Sequence, residues 1–125
     1  MKQLKYAAVV LLCLPVAYEL FGMCVNHIST DRQTKRMKAN LTKTVSDAVI
    51  FSEHSETGNS SGTGNHVDCV SVVNFSSSKS LEELAACLTP YYTFDDWNCR
   101  LDKTDAGYVF YLNTRAPFAD NIEGH

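Results

Sequence analysis

The sequence predicts an α+β protein: an N-terminal membrane helix, then a small helix-hairpin-helix-hairpin domain with a four-stranded antiparallel sheet. Three observations carry that expectation. The chain opens on Lys2 and Lys5 and is then apolar from Tyr6 to Val25, broken only by Pro15 and Glu19. Two later segments place apolar residues at helical spacing. Each of those precedes two strand-like runs joined by a polar, glycine-bearing connection, and helix packed on an antiparallel sheet is the simplest layering for such a chain.

The opening run, assigned to a signal anchor over residues 1–28, is long enough to cross a bilayer core. Tyr6–Tyr18 alone also has the length of a secretory signal's apolar region. Cleavage after Ala17 or Gly22, however, would leave Pro15 or Leu20 where signal peptidase wants a small residue, and Gly22-Met23 ahead of Cys24 makes a poor lipoprotein site. An uncleaved single-pass anchor is therefore expected, and a secreted protein results only if the segment is cut. Glu19 is its costly residue, at about 2.5–3.5 kcal/mol if it reached the helix centre. Lys2 and Lys5 sit directly before the run, whereas the larger basic cluster starts some way after it, which favours an inside N-terminus and an extracytoplasmic domain. The sequons at Asn40, Asn59 and Asn74 are compatible with that side.

Residues 29–47 read as a basic amphipathic juxtamembrane helix, with Met37, Leu41, Val45 and Ala48 on one face. Thr30 and Gln33 have capping-box spacing, unless the membrane helix simply continues through them. Arg32, Lys35, Arg36, Lys38 and Lys43 either face anions at the membrane or form a solvated face.

Residues 48–125 form the predicted α+β domain. "AVIFSEHS" (48–55) and "HVDCVSVVNF" (66–75) read as strands, the second apolar on both faces. "SLEELAACL" (80–88) has Ser80 and Glu83 spaced for a capping box, a stripe of Leu81, Leu84, Ala85 and Leu88, and Pro90 to end it. "WNCRLD" (97–102) and "YVFYLNT" (108–114) flank the turn "KTDAG" and should pair antiparallel. The closing segment has no periodicity: Phe118 and Ile122 tack it to the sheet edge, or it is a frayed terminus.

Charge divides the chain. Residues 1–43 carry seven Lys/Arg against Glu19 and Asp31, and residues 44–125 carry four against twelve Asp/Glu, within a formal net charge of -3. An acidic domain repels phosphate backbones, so nucleic acid is excluded as its partner.

The stretch "ETGNSSGTGNHVDC" (56–69) holds the candidate polar site. His66 and Asp68 are two apart and share a strand face. If His54 pairs opposite His66 across the hairpin, two imidazoles and one carboxylate, with Asn65 beside them, make a conceivable ligand-binding or divalent-metal set, though no particular metal is indicated. The plainer alternative has His66 and Asp68 hydrogen-bonding each other and ordering the loop.

G-N-S-S-G (58–62) matches the serine-hydrolase pattern formally, but strands flank it where a nucleophile elbow needs a strand and a helix. Gly58, Gly62 and Gly64 lack the lysine and helix start of a phosphate loop. Cys69, Cys87 and Cys99 are read as buried thiols, with a Cys87–Cys99 disulfide or a Cys–His66 pair as alternatives. Tyr91, Tyr92, Phe94 and Trp97 are either core or a partner-facing patch.

The run "ETGNSSGTGNHVD" (56–68), the apolar leader and the closing "YLNTRAPFADNIEGH" (111–125) together resemble small membrane-anchored bacterial proteins of no known activity. The resemblance implies a bacterial envelope location and brings no cofactor or catalytic residue. The functional expectation is a non-catalytic, membrane-tethered module that binds a protein or other partner at the envelope through the loop 55–66 and the adjoining sheet face, and uses no cofactor. Its competitor is a small metal-dependent or hydrolytic enzyme using His54, His66 and Asp68.

Overall fold

The structure is a computed structural model and describes residues 1–60 and 65–125. It is an α+β fold with a long N-terminal apolar helix and a four-stranded antiparallel sheet. Helix α1 (Lys2–Thr44) is followed by β1 (Val49–Gly58), β2 (Asp68–Ser76), α2 (Leu81–Leu88), β3 (Cys99–Thr104), β4 (Gly107–Arg115) and a short 3-10 turn, Ile122–Gly124. The strand order is β1-β2-β4-β3.

The segments expected as a membrane helix and a separate juxtamembrane helix are one continuous helix. No breaker falls between Met23 and Thr44, and Thr30 lies mid-helix, its hydroxyl bonded back to Asn26 O at 3.1 Å instead of capping a new start. Packing does not begin at residue 29 either. Gly22, Asn26, Thr30, Thr34, Met37 and Leu41 form one buried stripe at intervals of three and four. N-terminal to that stripe, Leu4, Tyr6, Val9 to Leu12, Leu14, Val16 and Tyr18 are all exposed, on every side of the helix.

The stripe meets the sheet in two chemically different halves. Its lower half, Met37, Leu41 and Val45, closes an apolar core with Val73, Phe75, Leu84, Leu88, Tyr108 and Phe110. Its upper half is a polar seam. Thr30 Oγ1 lies 2.6 Å from Thr57 Oγ1, Thr34 Oγ1 lies 2.7 Å from both Ser55 Oγ and Ser71 Oγ, and Gln33 Nε2 donates to Cys69 O at 2.9 Å. Because β1 presents serine and threonine there instead of apolar side chains, matching hydroxyls and amides on α1 are needed, and among the described residues no buried polar side-chain atom is left unpaired.

Helix α2 begins at the expected capping box: Ser80 Oγ accepts from Glu83 N, and the Glu83 carboxylate accepts from Ser80 N. The β3–β4 hairpin pairs Cys99 with Leu112 and Leu101 with Phe110, as the alternation requires. Its turn ends on Gly107 at φ 152°, where a Cβ would come within 2.4 Å of Phe75 O, so only glycine fits. Tyr92 and Phe94 join the core against Phe110, while Tyr91 and Trp97 stay exposed, which splits the aromatic cluster between the two expected roles.

The closing segment docks on the helix and not on the sheet edge. Phe118 sits edge-on between Tyr18 and Phe21, at 5.8 and 5.7 Å between ring centroids, while Ile122 is exposed. Asn121 Nδ2 donates to Glu19 O at 2.8 Å, and the Glu19 carboxylate accepts from Ile122 N at 2.9 Å. Val67 N donates to Ala119 O and Ala116 N donates to Val67 O, tying the same segment to the start of β2.

Candidate functional site: the His66–Asp68 corner and an arginine-lined cleft

His66 and Asp68 do meet. His66 Nε2 lies 3.0 Å from Asp68 Oδ1, and Ser60 Oγ donates to Asp68 Oδ2 at 3.1 Å. Asp68 is buried, and its carboxylate stands between the serine and the histidine. That order is wrong for nucleophilic catalysis, where an imidazole must take the serine proton and a carboxylate must orient the imidazole from behind. What the trio can do is fix the chain ends. Ser60 and His66 bracket the hairpin connection, Asn59 Nδ2 donates to Gly124 O at 3.2 Å, and Gly124 leaves room for so little that a Cβ there would lie 2.7 Å from His66 C.

His54 is not part of this corner. Register sets Asp68 opposite Gly58 and His54 opposite Val72, so His54 is about 13 Å further along β1. Its exposed ring lies near Glu56, at 3.7 Å. The assumption that residues 54 and 66 begin the pairing fails because β1 continues to Gly58. Asn65 is exposed beside His66. Among the described residues no three His, Cys, Asp or Glu side chains are grouped to hold a metal ion. Gly62 and Gly64 lie outside the described residues.

The cysteines are free thiols, so no Cys87–Cys99 disulfide is formed. Burial pushes the Cys99 thiol up to about 11, with the Asp95 carboxylate adding to the effect, and burial raises Cys69 in the same direction. Both thiols stay protonated at neutral pH, which removes them as nucleophiles.

A cleft of about 500 Å³ opens between α1, β4 and the segment after α2. Arg32 and Arg36, one helical turn apart on α1, line it together with Arg115 at the end of β4. None of the lining residues is acidic. Gln33, Cys69 and Leu112 also line it, and Gln33 is fixed by donating to Cys69 O and accepting from Thr114 Oγ1. At the other end Asn40 Nδ2 donates to Tyr92 Oη at 2.9 Å, and burial raises the Tyr92 phenol, so it keeps its proton.

The sequence puts Arg32 and Arg36 on a basic helix, and only the fold joins Arg115 to them. The signal in the sequence is the i, i+4 arginine pair and the Asp31–Lys35 spacing; the fold adds that Lys35 is engaged by Asp31 at 2.9 Å and Lys38 by Glu53 at 2.6 Å, leaving the arginines without an ion pair among the described residues.

Comparison with known proteins gives no match: no family model, no curated protein and no solved structure resembles this chain.

Proposed function

We propose that this chain is a membrane-tethered, non-catalytic binding module whose folded part stands at the outer face of a cell envelope. The observation that carries the reading is the helix that is apolar all round yet uncovered from Leu4 to Tyr18, then continues without a linker into the packed stripe. Such a surface is stable in water only if something apolar covers it. From Lys2 to Tyr18 the helix is about 25 Å long, close to a bilayer core once the lysine stems reach the headgroups. Glu19, costly inside a span, is instead engaged by Asn121 and Ile122 at the domain's edge.

Lys2 and Lys5 favour the cytoplasm for the N-terminus, which puts the domain and a protein partner on the other side. The enzyme reading based on His54, His66 and Asp68 is weaker, since His54 stands apart and Asp68 occupies the position a catalytic base would need.

The test is flotation of the full chain with phosphatidylcholine vesicles. The protein should float and stay bound in high salt, and Leu11→Asp with Leu14→Asp should release it. A full-length wild-type chain that remains monomeric and dissolved without vesicles or detergent would end the reading.

A further inference from the structure

We infer that the cleft lined by Arg32, Arg36 and Arg115 is a binding site for a small oxyanion carrying two or three negative groups, of the phosphate-ester or polycarboxylate class. The proposal deepens the binding-module reading and rests on it; only the choice of a soluble anion over a lipid headgroup draws on the membrane tether.

The argument starts from charge. Residues 44–125 are strongly acidic, yet Arg115, one of their four basic residues, lines one cleft together with Arg32 and Arg36 of the helix, with no carboxylate among the lining residues. None of the three has an ion-pair or hydrogen-bond partner among the described residues, although Lys35, Lys38 and Arg100 each have one. Three cationic side chains along one concave wall focus a positive field there, which raises the local concentration of an anion.

The donors suit oxyanions in particular. A guanidinium presents a planar fork that matches carboxylate and phosphate oxygens bidentately, which an ammonium cannot do. Ser29 adds a hydroxyl without a partner among the described residues. Tyr92 already accepts from Asn40, so its own proton remains free to donate. A volume of about 500 Å³ holds a small organic molecule and not merely one ion.

A soluble anion fits better than a lipid headgroup. Arg32 lies thirteen residues beyond Glu19 along the helix, about 20 Å, which exceeds the Debye length of about 8 Å at physiological salt.

The experiment is calorimetric titration of the full chain in phosphatidylcholine nanodiscs with pyrophosphate and with citrate, at ionic strength held constant by sodium chloride. At least one probe should bind saturably at a single site. Arg32→Gln with Arg36→Gln should weaken it at least tenfold, as should Arg115→Gln, while Lys35→Gln leaves it unchanged. A parallel titration in phosphatidylglycerol nanodiscs should give the same affinity. Strong competition by those discs would overturn the soluble-anion assignment in favour of a headgroup. No saturation by either probe, or equal loss in Lys35→Gln, would overturn the site altogether. Neither result bears on flotation with vesicles, so failure of the ligand and failure of the tether are told apart.

Discussion

Asn26 on the helix and Phe118 in the closing segment exchange two hydrogen bonds: Asn26 Nδ2 donates to Phe118 O at 3.0 Å, and Asn26 Oδ1 accepts from Phe118 N at 2.9 Å. A buried side-chain amide thus pairs a stretch of backbone as a neighbouring strand would. Asn26→Leu should cost about 2–4 kcal/mol, because it strands a donor and an acceptor together. Asn26→Asp should be no better, since a carboxylate cannot donate to Phe118 O and would face Glu123, which already bonds Asn26. Denaturant melts of the full chain in detergent give the cost, and faster amide exchange confined to residues 117–125 would identify the cause.

Gly22 tests the same contact sterically. A Cβ there would lie 2.8 Å from Asn121 Nδ2 and 3.3 Å from Phe118 Cβ. Gly22→Ala improves helix propensity by about 1 kcal/mol, so a purely local effect would stabilise. The expected result is the reverse: the closing segment is pushed off, the protein loses about 1–2 kcal/mol, and protease cuts after Phe118 sooner.

Thr34→Val should cost about 1–3 kcal/mol, because the buried Ser71 hydroxyl loses a partner 2.7 Å away. Adding Ser71→Ala should restore part of that loss, since the Gln33 amide that also donates to Ser71 Oγ at 3.1 Å keeps its bond to Cys69 O. A double change that loses as much as the two singles added would refute a direct coupling across the seam.

Much of this fold can be read from periodicity, and the unread part is physically specific. The Met37, Leu41, Val45 stripe and the Ser80–Glu83 box are visible because apolar side chains and capping residues signal their own role. The continuation of that stripe upward through Thr34, Thr30 and Asn26 was hidden, because the same spacing written in polar residues looks like a solvated face until the hydroxyls of β1 are placed opposite it. The arginine cleft was hidden for a related reason. Arg115 is about eighty positions from Arg32, and only the antiparallel register of β4 beside β2 brings the strand's end to the helix. His66 and Asp68 meet, yet not across a shared strand face, because β2 starts only at Asp68 and His66 lies in the segment before it; His54 stands apart because β1 runs on to Gly58.

Two carboxylates link stability to acid. The Ser78 and Ser77 hydroxyls and the Ser78 amide hold Asp47 well below the usual carboxylate range, and the Cys99, Trp97 and Asn98 amides lower Asp95. A lowered folded value means that the native state binds fewer protons than the unfolded chain. Their stabilisation is therefore complete above about pH 4 and is lost as pH falls through the folded values. The melting temperature should be level with respect to these groups from pH 7 to pH 5 and drop below about pH 4. Asp47→Asn with Asp95→Asn should lower it at pH 7 and flatten the acid limb, both modestly because the groups are exposed. An acid limb of unchanged steepness would assign the dependence to other groups.

His66 and Asp68 separate a structural corner from a ligand site. If the imidazole's role is to satisfy the buried carboxylate, His66→Ala should cost about 1–3 kcal/mol by leaving Asp68 short of a donor. Asp68→Asn should then recover part of that loss in the His66→Ala background while being destabilising alone, giving a coupling of about 1 kcal/mol in a double-mutant cycle. Zinc, manganese and calcium should leave the wild-type melting temperature in place, since any ion preferring the native state would raise it. A rise with one of these metals that vanishes in His66→Ala and persists in His54→Ala would instead make the corner a metal site that recruits ligands from beyond the pair.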